Sequence, residues 1–206
     1  MNLKKIVKNR VYFVGGINGV GKSTLVNEFL KNEKGFLAIK GSQYFMEWLG
    51  LRSGDYESLQ NMPHEKKNEE LGKMVEYLIY DLPADNKPIL MDIHYLRIVN
   101  GEISRVLNDW VSLSSGMFFI AGNSKIILER QKKDLLAAGR DRKMFPSNVL
   151  EKDKESLIEK YQKETLQEVK RVSDKFGIPY FVINNIQLEK ASNELKIILN
   201  KLEAGV

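Results

Sequence analysis

Cysteine is absent from this sequence of 206 residues. Its absence excludes a disulfide framework, thiolate metal ligands and a cysteine nucleophile. No apolar run approaches the roughly 20 residues that a membrane helix requires. The apolar stretch near the N-terminus is too short and too soon interrupted for a signal peptide. We therefore expect a cytoplasmic protein with no membrane partner.

A strong excess of one charge is also lacking, since 32 basic residues stand against 27 acidic ones for a net charge of +5. This balance is compatible with phosphate-bearing ligands, although mixed charges mostly solvate a surface. No compact run combines basic and aromatic residues, so nucleic-acid binding is possible but not favoured. The length and the 43% hydrophobic content favour a single domain, residues 1–206, as a monomer or small homo-oligomer.

Short apolar runs alternate with longer segments of helical spacing. The runs are bounded by Gly, Pro or Asn and are rich in β-branched and aromatic residues, which is typical of buried parallel strands. This alternation predicts an α/β fold, a three-layer α/β/α arrangement around a five-stranded parallel sheet with right-handed crossovers. The predicted strands are 10–15, 35–41, 88–93, 116–122 and 178–185.

Two segments interrupt the alternation. Residues 42–87 contain too much helix for one crossover, which predicts a small helical insert. Residues 139–147 are basic and lie between Gly139 and Pro146, which predicts a loop within a segment of about 136–148. A long helix should follow, capped by Ser147 or Asn148.

The first predicted strand leads into a glycine-rich motif, because residues 16–23 match G-x-x-x-x-G-K-[ST]. Glycines let successive backbone N–H groups point into one concavity, and a helix starting near Gly21 or Lys22 adds the positive end of its dipole. Lys22 can then reach the β- and γ-phosphates, while the Ser23 hydroxyl can coordinate Mg²⁺. The alternative is a glycine-rich turn with an exposed lysine. The predicted cofactors are ATP and Mg²⁺, with binding residues Gly16, Asn18, Gly19, Val20, Gly21, Lys22, Ser23 and Thr24.

A carboxylate and a histidine follow the third predicted strand. Asp92 lies at its carboxyl end, where open parallel sheets bind ligands, and it can position Mg²⁺ together with Ser23. His94 shares a face with Asp92 if the strand persists, and it could orient a water or an acceptor group. The alternatives are an aspartate that caps the next turn and a histidine with a structural role.

The segment 125–143 carries seven basic and three acidic residues. Arginines delivered by a closing lid can stabilise the charge that develops during phosphoryl transfer, because their planar guanidinium grips phosphate bidentately. We predict this role for Arg130, Arg140 and Arg142. The alternative is a solvated loop whose arginines pair with Asp141 and Glu129.

The chain has a strand, the glycine-rich motif, a helical insert, a strand that ends in D-x-H and an arginine-rich segment, in this order. In this respect it resembles the P-loop nucleoside-monophosphate kinases, and the archaeal type of adenylate kinase in particular. The resemblance implies a sheet order of 2-3-1-4-5, an acceptor-binding insert, a lid, and transfer of the ATP γ-phosphate to a nucleotide acceptor such as AMP. It also implies catalytic roles for Lys22, Asp92, His94 and the lid arginines, and places Gly41, Ser42 and Phe45 beside the acceptor.

The chain departs from this family at the acceptor site. Gln60 stands where such kinases commonly hold the acceptor phosphate with an arginine, and residues 100–110 replace the glycine- and proline-rich loop after the third strand. An amide cannot reproduce the bidentate, charge-assisted contact of a guanidinium. Either Arg97 or Arg105 compensates for the missing arginine, or the acceptor is not AMP. Together with the residues that the resemblance places beside the acceptor, the candidate acceptor residues are Gly41, Ser42, Phe45, Gln60 and Arg97.

Two other functions remain open on the same frame. One is an ATP-binding and ATP-hydrolysing assembly factor or switch that docks to a protein or RNA. The other is a kinase for a different small metabolite or a polynucleotide end. The fold alone does not separate these functions, because the acceptor site decides among them.

Overall fold

The computed structural model describes residues 8–84, 86–138 and 143–205. The strands are β1 (Val11–Gly15), β2 (Leu37–Lys40), β3 (Ile89–Ile93), β4 (Leu96–Val99), β5 (Glu102–Arg105), β6 (Gly116–Ala121) and β7 (Tyr180–Asn184). The helices are α1 (Lys22–Asn32), α2 (Gly41–Trp48), α3 (Tyr56–Asn61), α4 (His64–Tyr80), α5 (Ser124–Ala138), α6 (Lys154–Phe176) and α7 (Leu188–Ala204). Short 3-10 helices cover Asp109–Leu113 and Glu151–Asp153.

The main sheet has five parallel strands in the order β2-β3-β1-β6-β7. Counted among these five strands alone, the order is second, third, first, fourth and fifth, as expected. Every predicted strand is found within two residues of its predicted ends. The predicted α/β fold class is confirmed.

Alternate residues of the sheet enter two separate cores. Phe13 of β1 faces one core, which includes Met74 of α4. Tyr12, its neighbour, faces the other core, which includes Leu25 of α1 and Leu195 of α7. Because successive side chains of a strand point to opposite faces, each buried strand holds two helical layers against the sheet. None of the helices in the described ranges is long and apolar enough to cross a bilayer.

An antiparallel hairpin, β4 with β5, follows β3 and was not predicted. Its turn is Asn100-Gly101, with φ values of 52° and 84°. Asn-Gly is the sequence favoured in two-residue hairpin turns that need positive φ. The hairpin was missed because both strands are only four residues long and β5 is mostly exposed, so the apolar pattern is weak.

The structure also corrects the start of the long helix that follows the basic segment. This helix, α6, begins at Lys154, whereas the prediction placed its cap at Ser147 or Asn148. Those two residues lie in a turn in which the N–H of Val149 donates to the carbonyl of Pro146. The side chains predicted to cap the helix therefore belong to a turn, a position that the same polar residues favour.

In the region 42–87, the predicted helical content is distributed over α2, α3 and α4.

Tyr95 anchors the hairpin to the sheet. Its side chain is fully buried, and its hydroxyl lies 2.9 Å from the carbonyl oxygen of Phe13 in β1 and 3.0 Å from that of Phe118 in β6. Burial raises the pKa of this phenol. The Tyr95 ring fills the space that a side chain at position 15 would need, because a β-carbon on Gly15 would lie 2.3 Å from a ring atom. The root of the hairpin is thus fixed beside the end of β1.

We predict that Tyr95→Phe lowers the free energy of unfolding by about 1–2 kcal/mol, because two buried carbonyls lose a hydroxyl donor. Urea denaturation would measure the change. Tyr56→Phe is the matched control, since Tyr56 is 40% exposed and its variant should differ from the wild type by less than about 0.5 kcal/mol. Equal stability of Tyr95→Phe and the wild type would contradict the anchoring role.

Candidate active site

The loop that joins β1 to α1 is shaped by glycines. Gly21 immediately precedes α1 with φ 93°, a conformation that other residues rarely adopt. A β-carbon on Gly21 would also lie 2.7 Å from the Asn185 amide nitrogen, and one on Gly16 would lie 2.6 Å from the Ile120 carbonyl oxygen. The loop therefore needs glycine at both positions. Gly21, the N-cap residue of α1, has no side chain that could bond the first amides of the helix, and such amides can bind an anion.

Lys22, the first residue of α1, folds back over this loop. Its ammonium donates to the carbonyl oxygens of Gly16 at 3.1 Å and Ile17 at 3.3 Å, and the residue is only 8% exposed. The positive charge is therefore held beside the loop amides. A polyphosphate bound to those amides would meet it directly.

Ser23 and Asp92 lie together although 69 positions separate them in the chain. The Ser23 hydroxyl donates to the Asp92 carboxylate over 2.8 Å. The parallel pairing of β1 with β3 sets Asp92 level with Val14, just before the loop, and this brings the two oxygens into contact. Both oxygens are hard donors of the kind Mg²⁺ prefers, so this pair fits the predicted metal.

The described residues contain no group of three or more His, Cys, Asp and Glu side chains that could hold a metal by themselves. Mg²⁺ in phosphoryl-transfer sites is commonly held by one or two protein oxygens together with substrate phosphates and water. The hydroxyl and carboxylate pair is in keeping with a metal that arrives with a nucleotide.

Three side chains that lie outside the loop hold its carbonyl groups. Arg130 and the buried Asn185 both donate to the carbonyl of Val20, over 3.1 Å and 2.9 Å. The buried Gln131 donates to the carbonyl of Asn18 over 2.9 Å. In a trans peptide the C=O and the following N–H point in opposite directions. The bonded carbonyls of Val20 and Asn18 share their peptide groups with the N–H groups of Gly21 and Gly19. The contacts therefore fix the direction of these two N–H groups, which point away from the three side chains in the ligand-free loop.

Sequence reasoning missed Gln131 and Asn185. Asn185 directly follows β7, at the carboxyl edge of the sheet where ligands bind, so its position offered a clue. Gln131 offered none, because its neighbours in the sequence do not indicate what α5 contacts. Arg130 contacts the loop in this structure, and its catalytic role stays a prediction.

The other predicted residues occupy varied positions. β3 ends at Ile93, so the sheet does not extend to the half-buried His94. Gly41 and the exposed Ser42 begin α2 directly after β2, whereas Phe45 is 4% exposed and packs in the core.

Four further predicted residues lie away from the loop or outside the described ranges. The exposed Arg97 lies on β4, and Gln60 belongs to α3. Arg140 and Arg142 lie outside the described residues, together with the centre of the predicted lid.

No protein-family model and no curated protein matches the chain. Solved structures do match, among them the crystal structure of shikimate kinase from Bacteroides thetaiotaomicron. The two chains are 14% identical, and the match covers 93% of this chain and 98% of that one with a TM-score of 0.52. The likeness at this identity is one of fold, the fold of P-loop kinases. This match supports a P-loop kinase fold and does not single out the archaeal type of adenylate kinase.

We predict that Gln131→Ala weakens the binding of Mg·ATP about 5- to 10-fold, because the Asn18 peptide loses the hydrogen bond that orients it. Titration calorimetry would measure the dissociation constant, and a melting curve would check that the variant is folded. Gln167→Ala, which removes an exposed glutamine of α6, is the control. Unchanged affinity in Gln131→Ala would show that the loop does not depend on this contact.

Proposed function

We propose that this protein is a phosphotransferase that moves the γ-phosphoryl group of Mg·ATP to a nucleoside monophosphate, with an AMP-like acceptor. The observation that carries the proposal is the 2.8 Å hydrogen bond between Ser23 and Asp92, which lies directly after a glycine-rich loop covered by the Lys22 ammonium. A phosphate cradle, a cation and a pair of hard oxygens are the parts that positioning and charge stabilisation require.

Each residue has a role in this proposal. The amides of residues 16–24 and the Lys22 ammonium bind the polyphosphate and hold its γ-phosphorus in one place. Ser23 and Asp92 would hold Mg²⁺, which neutralises charge on the phosphate oxygens when bound. Arg130, Arg140 and Arg142 would stabilise the charge that develops on the transferred group, and His94 would orient the acceptor hydroxyl or a water. The acceptor would lie against Gly41, Ser42, Phe45, Gln60 and Arg97.

A small carboxylic acid is the second candidate for the acceptor. Two observations favour it: Gln60 occupies the position where an arginine for the acceptor phosphate is expected, and the β4–β5 hairpin occupies the place of the expected acceptor loop. One of the solved structures that share the fold is named as a shikimate kinase, and shikimate is a carboxylic acid of this kind. The two candidates differ in the acceptor and share every step on the ATP side.

A coupled assay of ADP release, run with a panel of nucleoside monophosphates and with shikimate, would test the proposal. We expect Lys22→Ala to lower acceptor-dependent turnover at least about 100-fold, because the phosphates lose a full positive charge where charge develops. Lys31→Ala, at an exposed lysine of the same helix, should retain turnover. Absence of acceptor-dependent ADP release across the panel in the wild type would refute the proposed function.

A magnesium titration would test the metal pair separately. We expect Ser23→Ala and Asp92→Asn each to raise the Mg²⁺ concentration needed for half-maximal turnover. The first variant removes a hydroxyl ligand, and the second replaces a charged carboxylate with a neutral amide. Ser53→Ala is the control at an exposed serine. An unchanged Mg²⁺ requirement in Asp92→Asn would rule out this carboxylate as a metal ligand.

A further inference from the structure

The turn of the β4–β5 hairpin is bonded to the chain that follows the basic segment. The N–H of Asn100 donates to the carbonyl of Lys143, and the N–H of Gly101 donates to the carbonyl of Met144 over 3.1 Å. Two consecutive residues of the turn are thus paired with two consecutive residues of the other segment. The hairpin therefore fixes the backbone of Met144.

The hairpin turn leaves no space for a side chain at position 101. Gly101 has a φ of 84°, and a β-carbon there would lie 2.6 Å from the Cγ atom of Pro146. The hydroxyl oxygen of Tyr161, a residue only 1% exposed, would lie 3.6 Å from the same β-carbon. The ring of Pro146 is tied to its own backbone, so it cannot rotate away as a long side chain can. A side chain at position 101 would therefore displace the segment that contains Met144.

Met144 connects this turn to the glycine-rich loop through one glutamine. Met144 is 1% exposed, and its sulfur lies 3.8 Å from the Nε2 atom of Gln131. The same nitrogen donates to the carbonyl of Asn18 over 2.9 Å. A β-carbon on Gly19 would lie 3.0 Å from the Cγ atom of Gln131, so the glutamine side chain also lies against the loop backbone. Gln131 therefore contacts both Met144 and the loop.

Close packing makes this connection sensitive to small displacements. A protein interior has few voids, so a shift of one buried side chain moves its neighbours. Hydrogen bonds weaken steeply when their angle falls below about 120°. A phosphate held by several loop amides needs all of them to point into one concavity. A shift of Met144 that moves Gln131 would therefore turn the Gly19 N–H away from the phosphate.

We propose that Gly101 and Met144 are positioning residues for the glycine-rich loop. The hairpin turn fixes Met144, and Met144 keeps Gln131 in the place from which it orients the Asn18 peptide. Neither positioning residue belongs to the loop, so each acts on the phosphates through Gln131. The inference rests on the proposed function only in taking ATP as the ligand of the loop. It gives the hairpin turn a role on the ATP side of the site, apart from the acceptor.

The first test compares Gly101→Ala with a glycine variant that carries a similar backbone strain. Gly177 has a φ of 68°, and a β-carbon there would meet no heavy atom within 4 Å. We expect the dissociation constant of Mg·ATP, measured by titration calorimetry, to rise about 5- to 10-fold in Gly101→Ala and less than about 2-fold in Gly177→Ala. Melting curves check that both variants are folded. A Gly101→Ala variant that binds Mg·ATP as tightly as the wild type would overturn the proposal.

Removal of the Pro146 ring should rescue the loop. In Gly101→Ala/Pro146→Ala the new β-carbon no longer meets the Cγ atom of the proline. The dissociation constant of Mg·ATP should therefore return to within about 2-fold of that of Pro146→Ala alone. A loss of affinity caused only by backbone strain at position 101 would persist in the double variant, and that result would overturn the proposed route.

A double-mutant cycle tests whether the hairpin turn acts through Gln131. We expect Gly101→Ala to add less than about 2-fold to the loss of affinity in Gln131→Ala, because two changes that act through one contact are not additive. Full additivity of the two losses would contradict a route through the glutamine.

A further measurement needs no ATP, and it serves also if Gly101→Ala does not fold. Met144→Leu removes the sulfur and keeps an apolar side chain of similar volume. Met74→Leu is the matched control, because Met74 is fully buried in the other core. We expect the Gly19 amide resonance of the ligand-free protein to shift in Met144→Leu and to stay in place in Met74→Leu. A Gly19 resonance that Met144→Leu does not move would refute the positioning role.

The outcomes separate the two proposals. If the wild type binds Mg·ATP but phosphorylates no acceptor, the proposed function fails, and the titrations still decide the role of Gly101. If the wild type phosphorylates an acceptor while Gly101→Ala and Met144→Leu leave the loop unchanged, the positioning role is wrong and the proposed function stands. If the wild type binds no ATP, the Gly19 resonance alone decides the positioning role.

Discussion

Parallel pairing of β1 with β3 determines where the side chains of the candidate site lie. The glycine-rich loop follows β1, and Asp92 lies near the end of the adjacent strand β3. The register that aligns Val14 with Asp92 therefore also brings the carboxylate within 2.8 Å of the Ser23 hydroxyl. Both strands are buried on both faces, which leaves no freedom to slip without exposing apolar side chains. The geometry of the candidate site is therefore a consequence of core packing.

The glycine-rich loop gains its order from outside itself. Glycine makes the conformation accessible but also gives the unfolded chain more freedom, so a loop of this composition is costly to order. Three side chains outside the loop restrict its freedom by donating hydrogen bonds to its carbonyl groups. Two of them, Arg130 and Gln131, belong to α5, and Asn185 directly follows β7. The result is a cradle whose amides are oriented in the ligand-free structure.

The hairpin and the segment after the basic loop form one connected support. The N–H of Gly101 donates to the carbonyl of Met144 over 3.1 Å, and the Gln131 amide lies 3.8 Å from the sulfur of Met144. Gln131 in turn holds Asn18. The chain that leaves the basic segment therefore contacts both the hairpin and Gln131, which holds the glycine-rich loop.

Local patterns in the amino-acid sequence predict the strands and the glycine-rich loop that leads into α1, and the family resemblance predicts the order of the strands in the sheet. Near-continuous apolar runs and the glycine, lysine and serine spacing are local patterns that constrain the backbone directly. The amino-acid sequence does not show where α6 begins, because Ser147 and Asn148 suit a turn as well as a helix cap. The contact of Arg130 with the Val20 carbonyl, and that of Asn185 with the same carbonyl, are seen only in the folded structure. These pairs are far apart in the chain, and their contact depends on how whole elements pack, which no local pattern records.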